Sequence, residues 1–528
     1  MASVIGRQFL VRLLARVAGL SDRLEGLLRE LQALEIIYEQ GLVPEPAYIF
    51  KHAVIQDVAY NSLLLQRRKA LHRAVGEAIE ELYQDRLEEH YAELAHHFIQ
   101  GEVWEKACNY CRQAGEKALE RSAYREAVGY FEQALSALAH LPETRDTREQ
   151  AIDLRLALRT ALWPSGDFVR TLARLREAEA LATALDDPRR LGQVSIFLSH
   201  QFYTEGAYDQ AAAAAERALA LAVASGEVIL QARAHQSLGV AYQFLGHYRR
   251  AIDCLKQAVV ALDGVEQRER FGTVILPAVL ARAYLAWCQA ELGLFAEGQS
   301  LGEEGLRIAE AVEQPGSLMM ASWAVGLLAL RQGDLLRALP RLEQAVTLCQ
   351  NTDLPFYFPR MAAVLGAAYT LDGRGADAVP LLTRALEQST AQGMVGDQAL
   401  CRLSLGEAQL LAGHLEEAQT LAESTLALAR EHHERGHRAY ALRLLGNIAV
   451  QREPPESAQA EALYRQAFAL AEELGMRPLQ AHCHLGLGIL YNRIGRPEQA
   501  RTELSSAIEL YRAMEMTFWL ERAEIALV

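Results

Sequence analysis

The sequence predicts an all-α chain built as a solenoid of helix hairpins, and three observations carry that prediction. Ala and Leu dominate 528 residues that are 51% hydrophobic but only 7% aromatic. The 15 prolines are too few to interrupt long helices, and such a composition suits helices packed through small residues better than sheets. Above all, a glycine recurs with a period of about 40 residues, and fixed-period self-similarity is the mark of a repeat architecture.

The recurring glycines are Gly166, Gly206, Gly246, Gly293, Gly333, Gly373, Gly413 and Gly495. Successive spacings are 40, 40, 47, 40, 40 and 40, and the last interval of 82 hides one further unit whose turn runs from Gln451 to Ser457. Five residues after most of these glycines comes a small residue, such as Ala251 or Ala378, which lets two helices approach closely. A second glycine recurs at Gly226, Gly393 and Gly475, where a left-handed residue would end the second helix. The best unit reads Leu238, Gly239, Tyr242, Gly246, Tyr248, Ala251, Leu255, Ala258. Leu365 to Ala385 and Leu487 to Ala507 repeat it. This pattern resembles the tetratricopeptide repeat (TPR), with helices several residues longer than the usual period of about 34 allows.

Weaker units precede these. Ala127, Phe131 and Ala134 keep second-helix spacing, and Ala107, Cys111 and Ala114 read as the same element one hairpin earlier. About eleven hairpins are expected, with Asp263 to Ala278 as an enlarged loop absorbing the seven extra residues of the long spacing. The organisation predicted is a small module at 1–70, a connecting helix at 71–88 and the superhelical array at 89–528.

The first 70 residues do not repeat. Arg7, Arg12 and Arg16 interleave with Phe9, Leu10, Leu13, Leu14 and Val17 as in a buried amphipathic helix. Asp22 and Glu25 form a capping box ahead of Leu27, Leu28 and Leu31. Ile36 to Tyr38 and Tyr48 to Phe50, separated by Gly41, Pro44 and Pro46, read as a short β-hairpin, and helices follow from about Val54 and Arg68. Helices leading into a two-stranded wing make a winged-helix arrangement.

The stretches Val4 to Arg7 with Phe9, Phe50 to Ala53 running into Gln56 to Tyr60, and Arg67-Arg68 with Leu71-His72 resemble the winged helix that follows the nucleotide-binding domain in STAND-type signalling ATPases. These include bacterial proteins that join an adenylate cyclase, an ATPase and a TPR tail. The resemblance implies that the tail senses a protein, peptide or small-molecule effector. It also implies that an ATPase domain, in cis or in trans, docks on Val4, Ile5, Phe9 and Leu13. No G-x-x-x-x-G-K-[ST] phosphate loop occurs, and Lys never follows Gly. The chain therefore reads as a scaffold without its own catalytic centre or cofactor. A transcription regulator resembling the maltose-system activator is the alternative, weakened because no helix-turn-helix follows the array.

The formal net charge of −14 argues against phosphate backbones and anionic lipids as partners. The basic run Arg67, Arg68, Lys69 and Arg73 reads as a solvated helix face rather than a DNA-reading one. Seven scattered cysteines suit reduced thiols in a cytoplasmic protein. No apolar run approaches the roughly 20 residues that span a bilayer.

Three motifs imitate chemistry. His433-Glu434-Arg435-Gly436-His437 fits HExxH, the zinc metallopeptidase pattern, which needs both histidines on one unbroken helix. His433, however, aligns with the helix-ending glycines, so the motif should straddle a turn. Cys108 and Cys111 have redox spacing but sit in packing slots, and the His96-His97 and His482-Cys483-His484 clusters read as ordinary helix residues. The concave face is the better site. First helices place His200, Tyr203, Gln236, Gln243, Trp287 and Trp323 at positions that resemble ligand-facing ones, and aromatic anchors with interspersed amides suit a peptide or small effector.

Overall fold

A computed structural model describes residues 1–19, 21–41, 46–352 and 354–528. They are overwhelmingly helical, with one small sheet, and divide into two compact units, Met1–Leu162 and Trp163–Val528.

The first unit runs α1 (Ala2–Ile5), β1 (Gln8–Leu10), α2 (Val11–Ala18), α3 (Ser21–Ala33), β2 (Ile37–Gly41), β3 (Ala47–Phe50), α4 (Ala53–Asn61), α5 (Leu65–Leu82), α6 (Tyr91–Gln100), α7 (Trp104–Glu120), α8 (Tyr124–Leu138) and α9 (Arg145–Leu162). The expected hairpin is β2–β3, and a third strand joins it. β3 is central and antiparallel to both neighbours, with Gln8 opposite Ile49 and Ile37 opposite Phe50. Phe9 and Leu10 therefore lie in a strand, not in the amphipathic helix their spacing suggested, because extended backbone lets Phe9 pack beside Phe50 at 5.7 Å between ring centroids. The Asp22 side chain and Pro44 fall outside the described residues.

α5 is more than a connector. Its Leu71, Val75 and Ile79 share one core with Val4, Leu13, Leu94 and Phe98, so the compact unit runs unbroken past residues 70 and 88. α7 corrects the early register. A Cβ on its Gly115 would stand 2.6 Å from the Phe131 ring. The same sixteen-residue relation joins Gly239 to Leu255, Gly366 to Leu382 and Gly488 to Leu504, so α7 is the first helix of a hairpin with α8. Ala107, Cys111 and Ala114 mimic second-helix spacing because both helices present small residues at the crossing.

The second unit opens with α10 (Phe168–Ala184). Hairpins follow in order: α11 (Pro188–Thr204) with α12 (Tyr208–Ser225), α13 (Val228–Phe244) with α14 (Tyr248–Ala261), α15 (Pro277–Leu292) with α16 (Phe295–Val312), and α17 (Pro315–Gln332) with α18 (Leu335–Asn351). Then come α19 (Phe358–Leu371) with α20 (Gly375–Ala391), α21 (Val395–Leu411) with α22 (Leu415–Glu431), α23 (Arg435–Gln451) with α24 (Ser457–Leu474), and α25 (Arg477–Arg493) with α26 (Pro497–Ala513). α27 (Thr517–Leu527) stands last. The long spacing is the loop between α14 and α15, as expected. Gly226, Gly393 and Gly475 adopt φ of 71°, 65° and 74°, and His433 takes the equivalent place at 58°.

The second unit is not an open superhelix whose hairpins touch only their neighbours. The Gly206 turn meets Val395 at the start of α21, the Gly246 turn meets Arg435 at the start of α23, and the Gly293 turn meets Pro478 on α25. Gly333 meets Phe518 on α27. Hairpins five apart in sequence are thus neighbours in space, and one superhelical turn rests on the next. Gly206 shows why glycine is needed: with φ of 77° its Cβ would also stand 2.6 Å from Val395. Among the first helices α15 is buried on every side over nearly its whole length.

Candidate functional site

The six residues expected on an open concave face are brought close together but are not open. Tyr203, Phe244, Trp287 and Trp323 form an aromatic column with successive ring centroids 5.8, 5.9 and 5.3 Å apart. Trp323 is fully buried, and Trp287, Gln236 and Gln243 nearly so. His200, half-buried, bonds Ser237 at 3.1 Å. Trp287, Trp323, Gln236 and Gln243 are thus interior rather than ligand-facing, while His200 and Tyr203 keep partial exposure.

Carboxylates close the turns onto one another. Buried Glu434 accepts from the Tyr208 hydroxyl at 2.7 Å, across 226 residues of sequence, and also bonds His437. Buried Glu291 accepts from Trp287 Nε1 at 3.1 Å, Arg331 Nε at 3.2 Å and the Tyr440 hydroxyl at 2.6 Å. Arg360 donates to Asp397 at 2.8 Å and to the Tyr284 hydroxyl at 2.5 Å. Burial pushes the Tyr208, Tyr284 and Tyr440 hydroxyls well above the ordinary tyrosine range, so each stays protonated.

These contacts account for the HExxH match. Glu434 stands at the N-cap position of α23 with its carboxylate turned to Tyr208 and His437 rather than to the helix amides, and His433 precedes it in left-handed backbone and pairs with Asp209 at 2.8 Å. The two histidines share no helix face. Among the described residues no group of three or more His, Cys, Asp or Glu is placed to hold a metal. Cys108 and Cys111 are buried free thiols, and burial raises the Cys108 thiol to about 11 and Cys111 to about 12.

Where the column ends, the axis opens. Six residues before the turn glycine stands Trp287 in α15, but Ala367 in α19 and Glu407 in α21. Ala367 and Glu407 are among the walls of a cavity of about 500 Å³ lined from α17, α19, α21, α23, α24, α25 and α27. Its walls carry Arg331, Arg443, Arg493 and Arg522 with one carboxylate, Glu407, beside Leu410, Leu411, Leu485 and Ile489. Tyr440, Tyr464 and Trp519 add aromatic surface. His482 lines it too, bonded to the Tyr511 hydroxyl at 2.7 Å, and burial with Arg443 nearby holds its pKa well below the ordinary histidine value, so it is neutral. Sequence reasoning missed this site because it sought aromatic residues on first helices, whereas these walls are largely arginines and aliphatic side chains that only the stacking of distant hairpins brings together.

In the first unit the resembling motif is tied by a Tyr60–His72–His97 chain and by a separate Gln56 bond. Tyr60 bonds His72 Nε2 at 3.0 Å, His72 Nδ1 meets His97 Nδ1 at 2.9 Å, and Gln56 donates to the Ser3 carbonyl at 3.2 Å. Lys69 pairs with Glu102 at 2.7 Å and Arg68 lies over the Tyr60 ring, which leaves Arg67 and Arg73 as the exposed members of the basic run. Val4, Phe9 and Leu13 are interior and Ile5 is half-buried, so they are not the docking face expected of them: α5 and the sheet cover them. The open apolar surface lies elsewhere, in a groove of about 730 Å³ between α3 and α4, where Leu27, Val54 and Val58 are exposed.

Comparison with known proteins agrees with this architecture. Residues 437–513 match the model of the tetratricopeptide repeat family. An uncharacterised protein of Rhizobium meliloti (strain 1021) is 33% identical over 118 residues, which cover 22% of this chain and 11% of that protein. A Rap protein solved in complex with Competence and Sporulation Factor superposes with a TM-score of 0.53 at 15% identity, over 70% of this chain and 98% of its own. That likeness shows the fold. A STAND protein with a tetratricopeptide repeat sensor from Pyrococcus horikoshii aligns over 99% of this chain and 64% of its own, with a TM-score of 0.40 at 10% identity. Among the described residues no helix is long and apolar enough to cross a membrane.

Proposed function

We propose that this chain is the sensing part of a STAND-type signalling ATPase: the second unit binds a protein segment, peptide or small effector, and the first relays that event to an ATPase domain. The observation that carries the reading is the cavity. About 500 Å³ lies open among seven helices of the second unit, furnished with arginines, aromatics and aliphatic side chains. That size and mixture suit a ligand pocket. Because the walls come from helices of two superhelical turns, a ligand there would bias how the turns pack, which is what a sensor requires.

Support for the relay comes from the motif that resembles the STAND winged helix and from the three-stranded sheet flanked by α2 to α5 that this motif forms. The groove between α3 and α4 is the surface we assign to the ATPase domain, in place of Val4, Ile5, Phe9 and Leu13. The role assigned to the chain itself is binding rather than catalysis.

The test is a thermal-unfolding screen of peptides and metabolites, repeated on Ala367→Trp, which puts into α19 the bulk that Trp287 gives α15. A ligand that raises the melting temperature of the native chain and not of the variant supports the reading. A ligand indifferent to Ala367→Trp places binding elsewhere and overturns it. For the relay, an ATPase domain encoded upstream or by a neighbouring gene should co-purify with the chain and be lost on Val58→Asp. Retention would remove the groove from the interface, and ATP turnover by the chain alone would overturn the division of labour.

A further inference from the structure

The cavity is rich in hydrogen-bond donors and poor in free acceptors, within a chain whose net charge is −14. Two of its acceptors are already engaged: Glu407 is held by Arg443, and Asn447 Oδ1 accepts from the Tyr464 hydroxyl at 2.7 Å, while the exposed Gln451 amide also lines the wall. The donors are not all satisfied. Arg443 Nε is buried without an acceptor. Arg493 donates to the Val450 carbonyl at 2.5 Å, but its nearest carboxylate, the exposed Glu453, is 3.9 Å away. Arg522 lies over the Phe518 and Trp519 rings at 4.2 and 5.4 Å, and no carboxylate among the described residues pairs with it. Beside these two arginines runs an aliphatic wall of Leu410, Leu411, Leu485 and Ile489, with Leu411 and Ile489 exposed.

Resting on the reading of this cavity as the effector site, we propose that its ligand is an anionic amphiphile, a carboxylate joined to an aliphatic body. The carboxylate sits at Arg493 and Arg522 on α25 and α27, and the body lies along Leu410, Leu411, Leu485 and Ile489. A guanidinium presents paired N–H groups that match a carboxylate, and an arginine stacked on aromatic rings is positioned with its donors still available. Two sources carry this chemistry, a short acidic peptide and a free aliphatic acid. A basic or purely apolar ligand would leave the arginines desolvated without a counter-charge, which is unfavourable.

Calorimetric titration of the full chain distinguishes these. The probes are a Leu-Glu alternating hexapeptide, the same peptide with Gln for Glu and an amidated end, a Leu-Lys alternating hexapeptide, and dodecanoate. The acidic peptide or dodecanoate should bind at least about tenfold more tightly than the neutral and basic peptides, a difference of about 1.4 kcal/mol, and whichever binds identifies the source. Arg522→Glu, at an exposed position, should lose the acidic probe and gain the Leu-Lys peptide. Arg217→Gln, on the outer face of α12, should change neither. Equal binding of neutral and acidic peptides, or indifference to Arg522→Glu, overturns the anionic assignment while leaving the effector site standing. Silence with all four probes likewise overturns the anionic assignment, and the effector site then stands or falls by the thermal-unfolding screen on Ala367→Trp.

Discussion

The Tyr208 hydroxyl donates to Glu434 at 2.7 Å, joining residues 226 positions apart. Both are buried, and Glu434 also bonds His437. Buried polar contacts of this kind confer register more than net stability, since desolvating the carboxylate offsets much of the gain. Here the register is which hairpin of one turn meets which hairpin of the next.

Removing one partner should therefore cost more than removing both. Glu434→Ala leaves the Tyr208 hydroxyl without its acceptor and should destabilise by about 1–3 kcal/mol, whereas Tyr208→Phe with Glu434→Leu should recover part of that loss. Urea midpoints of the single and double variants check this. His433→Ala breaks only an exposed pair with Asp209 and should change stability by less than about 1 kcal/mol. Zinc that copurifies in stoichiometric amount and disappears in that variant would restore the metallopeptidase reading.

The helix-crossing glycines separate into those with and without room. A Cβ at Gly366 would stand 2.4 Å from Leu382 and one at Gly488 2.5 Å from Leu504, so either change to Ala should cost about 1–3 kcal/mol by overpacking. Gly129, inside α8, faces nothing within 4 Å. Gly129→Ala should instead stabilise by about 0.5–1 kcal/mol, because alanine loses less backbone entropy in a helix. Thermal unfolding of the three variants sorts them.

What could be read from the sequence follows the range of the interactions. The turn glycines, the caps at Gly226 and Gly475 and the Gly239–Leu255 crossing are local, within one or two helices, and spacing reveals them. The left-handed His433 was legible for the same reason. Contacts between Gly206 and Val395, or Tyr208 and Glu434, depend on superhelical pitch, a sum of small rotations over five hairpins that no single spacing encodes. So Trp287 and Trp323 looked like groove residues and are core. Phe9 illustrates the same limit at short range: its spacing fits a helix, but the partner that decides its conformation, β3, lies some 40 residues on. The cavity, whose walls come from helices as far apart in sequence as α17 and α27, depends on that same superhelical pitch.

Acid should weaken the first unit through its paired histidines. Burial, with neighbouring His96, lowers His72 to about 4, and burial beside His72 lowers His97 to about 3. The unfolded chain takes up these protons near pH 6.5, the ordinary histidine value. Above pH 6.5 both states are neutral and the native contacts are fully stabilising. Below it the unfolded state binds protons that the native state refuses, so stability falls as pH drops from about 6.5 toward 4. Urea midpoints at pH 7.5, 6.0 and 5.0 should decline, and the decline should be shallower in His72→Gln,His97→Gln. His482 in the second unit is lowered in the same direction and keeps a residual slope in that variant.

The aromatic column supplies the sharpest check on how the second unit is closed. Trp287 and Trp323 meet edge to face at 5.3 Å, and Trp323 has no exposed surface. If first helices bordered an open groove, both indoles would be reached by a soluble quencher. With the turns stacked, they are shielded until the unit unfolds. The chain's five tryptophans should therefore divide into an accessible set containing the partly exposed Trp104 and Trp519 and a set that acrylamide does not reach. Trp287→Phe with Trp323→Phe should remove most of the protected emission. Trp323→Ala goes further: it empties a fully enclosed site and should cost about 3–5 kcal/mol, as large-to-small changes in packed cores do. Full quenching of the native chain with a single Stern–Volmer slope, or a cost near zero for Trp323→Ala, would mean that the turns stand apart in solution and that the axis is a groove after all.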